Sequence, residues 1–187
     1  MFKKIKSHWI VFVILILKLF DNLHRLINGI STIKRSQISA DLYLGGQFNL
    51  LGLKKLKQMG ITAIVSMREN TIFDKTFFEG FKFLNLPTID NTPPSIEDLI
   101  KGADFVDTEI KSGGKVYIHC RQGIGRGPSM AIAYLLKLGT TFDDAFALVK
   151  FVRPFINPRP LQIARLKELE KYYIEKAAEE NLVANTN

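Results

Sequence analysis

Residues His119 to Ser129 read HCRQGIGRGPS. Just before them, Lys115 to His119 (KVYIH) is a short β-prone run that follows the Gly113-Gly114 turn. Just after them, Ser129 to Leu138 has helical spacing. The quoted stretch is therefore a loop that joins a strand to a helix. Gly123 and Gly125 permit φ > 0, so the loop can curl tightly. A loop curled in this way turns successive N–H groups inward and forms an anion nest at a helix N-terminus. Arg126 would close the ring with two parallel charge-assisted hydrogen bonds to a phosphate. Cys120, the one cysteine of the chain, stands at the head of this loop. Thiols at helix N-termini beside cations have pKa values lowered from about 8.5 to roughly 3.5–7.5. Such a sulfur is expected to be a thiolate aimed at bound phosphorus, so that one loop carries both nucleophile and anion clamp. The candidate phosphate-binding residues are Arg121, Gln122, Gly123, Ile124, Gly125 and Arg126.

Outward from this loop the chain alternates strand and helix. Leu42-Tyr43-Leu44 is a short strand broken by Gly45-Gly46, and residues 48–59 show helical spacing that ends at Gly60. Ile61 to Met67 (ITAIVSM) is apolar on both faces, as a buried strand is, and Phe81 to Leu86 is the next strand. Thr88 to Pro94 (TIDNTPP) has loop composition, and Ser95 with Asp98 is an N-cap pattern opening a helix to about Lys111. Helices over Thr141–Val152 and about Leu161–Glu180 follow, with a frayed, disordered tail at 182–187. The alternation predicts an α/β sandwich around a central sheet, with residues 31–181 as one domain.

Composition removes several function classes. A single cysteine excludes an intramolecular disulfide framework and a thiolate-rich zinc site, and three scattered histidines (His8, His24, His119) offer no metal centre. No metal and no cofactor is expected. Lys3, Lys4, Lys6, Lys18, Arg25, Lys34 and Arg35 stand against Asp21 alone in residues 1–35, so most of the net charge of +8 lies there. The remainder lacks the basic face that nucleic-acid binding needs, and no nucleic acid is expected as a partner.

The loop and its surroundings resemble the cysteine-dependent protein tyrosine phosphatase superfamily, dual-specificity branch, whose signature is His-Cys, five residues, Arg. Here it stands as His119-Cys120-RQGIG-Arg126, and DLYLGGQF, MGITAIVSMRE, LNLPTID and RPFINPRPLQ resemble the same branch in order, over roughly residues 32–175. The resemblance implies that residues 31–181 form a catalytic domain, a three-layer sandwich with a central, mostly parallel sheet flanked by helices, and a metal-free phosphatase with a phosphocysteine intermediate. It also implies a general acid on a separate loop about 30 positions before the cysteine. Asp90 lies there, bracketed by prolines in LPTIDNTPP, with a turn-forming aspartate as the plainer reading. His119 is implied to be structural, ordering the loop, and is not a general base. Gln162 stands where some relatives carry a water-orienting glutamine, and an exposed helix-start residue is the alternative. Arg153 is read as a packing or ion-pair residue, and Arg68 with Glu69 as rim or solvated charges. Many relatives place Ser or Thr directly after the signature Arg; here Gly127 and Pro128 follow, with Ser129 as substitute or as the start of the helix.

Trp9 to Phe20 (WIVFVILILKLF) is the most apolar stretch, too short for the about 20 residues that a spanning helix needs. Through Leu23, Leu26 and Ile30 it continues as an amphipathic helix with Asp21, Asn22, His24 and Arg25 on the polar side. Residues 1–30 are therefore expected to form a basic, hydrophobic helix suited to a membrane interface, with a helix packed on the domain as the alternative. The expected substrate is a phosphotyrosine or phosphoserine/threonine protein, with a phospholipid or phosphoinositide at a membrane as the second reading. Three other readings use the same loop. A rhodanese-like sulfur-transfer loop has four residues between Cys and Arg where this chain has five. A serine-hydrolase elbow fails because no histidine follows residue 119. A non-catalytic phosphate-binding module would lack the nucleophile or the acid. A membrane-associated protein with its reactive thiol in a reducing compartment, the cytoplasm first, is the expected setting.

Overall fold

The computed structural model describes residues 2–70 and 75–186, with side chains for 8–70 and 76–182. Four strands form one sheet: β1 (Leu42–Gly45), β2 (Ala63–Arg68), β3 (Lys82–Thr88) and β4 (Val116–His119). Their order is β1-β4-β2-β3 and every pairing is parallel, with Leu44 opposite Ile118 and Val65 opposite Ile118 on either side of β4. The β1 and β4 strands are buried at every position, as expected for a parallel sheet covered on both faces.

Alternation along the strands splits the core in two. Leu42, Leu44, Ala63, Val65, Met67, Val116 and Ile118 face a helical layer made of α3 (Ile96–Lys111), α4 (Arg126–Lys137), α5 (Phe142–Val152) and α6 (Pro160–Thr186). Tyr43, Ile64 and Tyr117 face the other way, onto Leu56 of α2 (Leu50–Gln58) together with Phe48, Ile61 and Phe78. This is the three-layer α/β sandwich that the sequence predicts. Its helix caps are also those expected: the Ser95 hydroxyl accepts from Asp98 N at 3.0 Å, and Gly60 ends α2 at φ 76°.

Two boundaries differ from expectation. The α4 helix starts at Arg126, three residues before Ser129, because Gly125 is its N-cap and Pro128 lies in the first turn, where a proline lacks only an N–H that has no helical partner anyway. It is apolar all round and buried from Arg126 to Leu136, which puts it at the centre of the helical layer. The tail expected at 182–187 ends outside the described residues; up to Thr186 the chain continues as α6, with no Gly or Pro after Pro160 to stop it.

The N-terminal segment forms α1 (Phe2–Asn28). Among the described residues no helix is long and apolar enough to cross a membrane. Its C-terminal end is built onto the domain: Gly29 (φ 76°) closes the helix, and its carbonyl lies where a Cβ on Gly52 would fall, so both backbones approach closely only because both are glycine. Gly29 O also accepts from Asn49 N at 3.0 Å, and Lys55 Nζ reaches Asn28 Oδ1 at 2.9 Å.

Candidate active site

The carboxyl ends of all four parallel strands converge on one place, where open α/β sheets bind ligands. The β4 strand delivers Cys120 there, and β2 and β3 end beside it at Arg68 and Thr88. Gly123 (φ 65°) turns the loop back against β1: a Cβ on it would lie 2.5 Å from Gly45 O. Glycine is required at this position on both counts.

Four successive carbonyl groups of the loop are claimed from outside it. Arg121 O accepts from Arg25 Nη1 (2.6 Å) and Gln47 N (3.1 Å), and Gln122 O from Arg153 Nη2 (2.9 Å). Gly123 O accepts from Arg153 Nε (2.7 Å), and Ile124 O from Asn157 N (2.8 Å). In a trans peptide the N–H points opposite to the preceding C=O, so the N–H groups of Gln122, Gly123, Ile124 and Gly125 face the inside of the loop. Gly123 N already donates to Cys120 Sγ at 3.2 Å. Cys120 is buried, 3% exposed, with its sulfur at the floor of this ring and next to the N-terminus of α4, where a Cβ on Gly127 would lie 3.5 Å from it.

Arg126 is 5% exposed and anchored by one nitrogen: Nη1 donates to Thr88 O (2.6 Å) and Met67 O (3.3 Å). Its other edge is different. Nη2 pairs with Asp90 Oδ1 at 2.9 Å, and Nε is a buried donor with no protein partner. The Nε–Nη2 edge is the fork that meets an oxyanion bidentately. Asp90, its side chain 58% exposed, thus stands at the mouth of the ring on the cation that would hold a phosphate. Its loop is tied down by neighbours: Asn91 (φ 65°) accepts at Oδ1 from Arg159 Nε (3.0 Å), and Gln162 Nε2 donates to Thr92 O (2.8 Å).

The remaining expected residues divide. Gln162 is buried, contrary to the reading of an exposed helix-start residue; its Oε1 accepts from Arg159 N (2.9 Å), which caps α6, and a Cβ on Gly125 would meet that oxygen at 2.9 Å. Ser129 is buried and donates to Gly125 O (3.0 Å), so its hydroxyl serves the first turn of α4. Gly127 is the nearer neighbour of Cys120: a Cβ there would lie 3.5 Å from its Sγ. The His119 ring lies against Phe48 (5.0 Å, edge-on) and Tyr117, on the side of the sheet away from α4. Burial pushes its pKa down to about 4, against a weak contact with Cys120 O (3.4 Å) that raises it and Arg68 that lowers it further. A neutral, enclosed imidazole fits a structural role. Arg121 and Gln122 have exposed side chains on the rim. Arg68 has its pKa lowered first by burial and then by Arg126 and Arg121, which marks the site as strongly cationic.

Sequence reasoning undervalued three residues. Arg153, fully buried, holds two loop carbonyls and pairs with Asp21 at 2.9 Å, while Arg25 holds a third. The available signal was Asp21 itself, the lone acid among seven cations in residues 1–35. The ring opens into a cleft of about 580 Å³ whose far wall is α1, through Val11, Ile14, Leu15 and Lys18.

The thiol, the arginine fork and the facing carboxylate stand together at one end of the sheet, as the His-Cys-x5-Arg resemblance implies. The family model "Dual specificity phosphatase, catalytic domain" matches residues 42–172, and the chain belongs to that family. It is 33% identical over 132 residues to dual specificity protein phosphatase 1-A of Xenopus laevis, covering 69% of this chain and 35% of that protein. To the mouse serine/threonine/tyrosine-interacting protein it is 31% identical over 150 residues, covering 75% and 66%. The chain therefore spans about a third of the length of the Xenopus laevis dual specificity protein phosphatase. Among solved structures, that of PTPMT1 superposes with a TM-score of 0.72 at 26% identity over 77% of this chain and 98% of that one. A second PTPMT1 structure, in complex with PI(5)P, gives 0.70 at 25% identity over 75% and 97%.

Proposed function

We propose that this chain hydrolyses phosphate monoesters through a phosphocysteine intermediate. The observation that carries the reading is the inward N–H ring around Cys120 Sγ with the Nε–Nη2 edge of Arg126 facing it. A phosphate dianion takes the place of the Asp90 carboxylate on that edge, which leaves the Asp90 carboxyl beside the ester oxygen as the proton donor. Sγ attacks phosphorus, the P–O ester bond breaks, and Asp90 gives its proton to the departing oxygen. The ring N–H groups and Arg126 hold the equatorial oxygens as charge redistributes. Water then attacks phosphorus with Asp90 taking its proton, the S–P bond breaks, and inorganic phosphate and the thiolate are regenerated.

Phosphotyrosine and phosphoserine/threonine proteins are the first substrate class, in line with the names of the relatives. A phospholipid or phosphoinositide substrate is the second, favoured by the α1 wall of the cleft, where apolar Val11, Ile14 and Leu15 adjoin Lys18. In this reading α1 lies on an anionic bilayer. Phe12, Ile16, Leu19, Leu23 and Leu26 form one exposed stripe facing away from the domain, and Lys3, Lys4 and Lys6, whose side chains lie outside the described residues, add positive charge at one end. The catalytic domain is then membrane-associated and cytoplasmic. Phosphate release from phosphotyrosine peptides and from phosphoinositide vesicles tests both classes on the full chain. Activity abolished by Cys120→Ser is expected, and equal release by that variant would overturn the proposal. Replacing Phe12, Leu19, Leu23 and Leu26 by serine should abolish co-flotation with anionic vesicles; retained flotation removes the membrane reading.

A further inference from the structure

The residues that shape the ring do not all come from the segment matched by the family model. Its carbonyl groups are fixed largely by Arg153, which is itself completely enclosed: Nε goes to Gly123 O, Nη2 to Gln122 O and Nη1 to Arg35 O (3.2 Å). A guanidinium without access to water needs a counter-charge. That charge is Asp21, 2% exposed, on α1. Asp21 in turn has every oxygen engaged, Oδ1 by Thr32 N (3.0 Å) and Oδ2 by Ser31 Oγ (3.2 Å) as well as by Arg153. Ser31 Oγ also accepts from Gly46 N (3.0 Å), and one turn further along α1 Arg25 Nη1 holds Arg121 O. We infer that Asp21 is a positioning residue of the active site, and that α1 is a built part of it which keeps the loop's carbonyls turned out and its N–H groups turned in. The inference rests on the reading of the loop as an oxyanion cradle.

Charge and position predict opposite signs here, which makes the test decisive. Removing a carboxylate near an anion site should tighten anion binding if Asp21 acts through its charge alone. If it acts by positioning, binding loosens. Tungstate, an oxyanion of phosphate shape, is titrated calorimetrically into the full chain and into Asp21→Ala. The expected result is about tenfold weaker binding, the size of effect that loss of one charge-assisted hydrogen bond produces. The expected accompaniment is slower alkylation of Cys120 by iodoacetate, restored in part by Asp21→Asn. Asp21→Asn, nearly isosteric and with an acceptor oxygen retained, should lie between the two, and it carries the test should Asp21→Ala not fold. Binding by the variant equal to or tighter than the parent's, even with a lowered Tm, overturns the inference. A parent that binds no tungstate overturns the cradle reading, and the inference with it.

Discussion

Acidification acts on this fold through His119. The ring is enclosed by Phe48 and Tyr117, its Nε2 has no protein partner, and burial holds its pKa at about 4 where an exposed histidine has 6.5. Between those values the unfolded chain binds a proton and the folded chain does not, so the folded state loses stability as pH falls. The contribution is complete above about pH 6.5, declines through the window, and is exhausted below about pH 4. A gap of that size is worth about 3 kcal/mol, a sizeable part of the 5–15 kcal/mol typical of a domain. Urea unfolding followed by far-UV circular dichroism at pH 7, 5.5 and 4 measures it, with His119→Gln as the reference. Carboxylates titrate in both proteins and cancel in the difference. The parent should lose about 3 kcal/mol more than the variant between pH 7 and pH 4. Equal pH slopes would refute the account of a neutral, desolvated imidazole beside Cys120.

Other perturbations address the loop and its acid. Asp90→Asn should lower kcat by about 10²-fold or more for alkyl phosphates, and much less for aryl phosphates with good leaving groups; equal losses for both would argue against proton donation. Gly123→Ala forces a side chain into a backbone at φ 65° and against Gly45 O, so kcat/KM should fall at least about tenfold, measured on p-nitrophenyl phosphate. Gly127→Ser places a hydroxyl on a Cβ 3.5 Å from Cys120 Sγ, with only Leu44 Cδ1 (3.1 Å) to move aside. It should hasten phosphoenzyme breakdown in rapid-quench experiments, and an unchanged or slower second step would count against a thiolate-stabilising role.

The structure also changes how membrane association must be examined. Deleting residues 1–30 removes the exposed apolar stripe, but it also removes Asp21 and Arg25, which reach the loop. Loss of activity on truncation would therefore say nothing specific about lipid. Substitutions confined to Phe12, Leu19, Leu23 and Leu26 leave those contacts in place.

Much of the protein was legible from local chemistry. Strands such as AIVSMR and VYIH declare themselves by mainly apolar, β-branched runs, and Ser95 acts as the cap that its spacing to Asp98 predicts. Cys120, five residues and Arg126 on a strand–helix junction define the cradle, because a nest is made by consecutive residues and so lies within reach of sequence reading. Gln162 and Ser129 were ambiguous, since one side chain has several local uses and only its partners distinguish them. What tertiary structure alone decided is which charges meet. Asp21 and Arg153 lie 132 positions apart and Arg25 and Arg121 O lie 96 apart. No periodicity or spacing connects such pairs. Their contact follows from how a folded sheet and its helices enclose a guanidinium, and burial converts an ordinary charge into an obligatory partner.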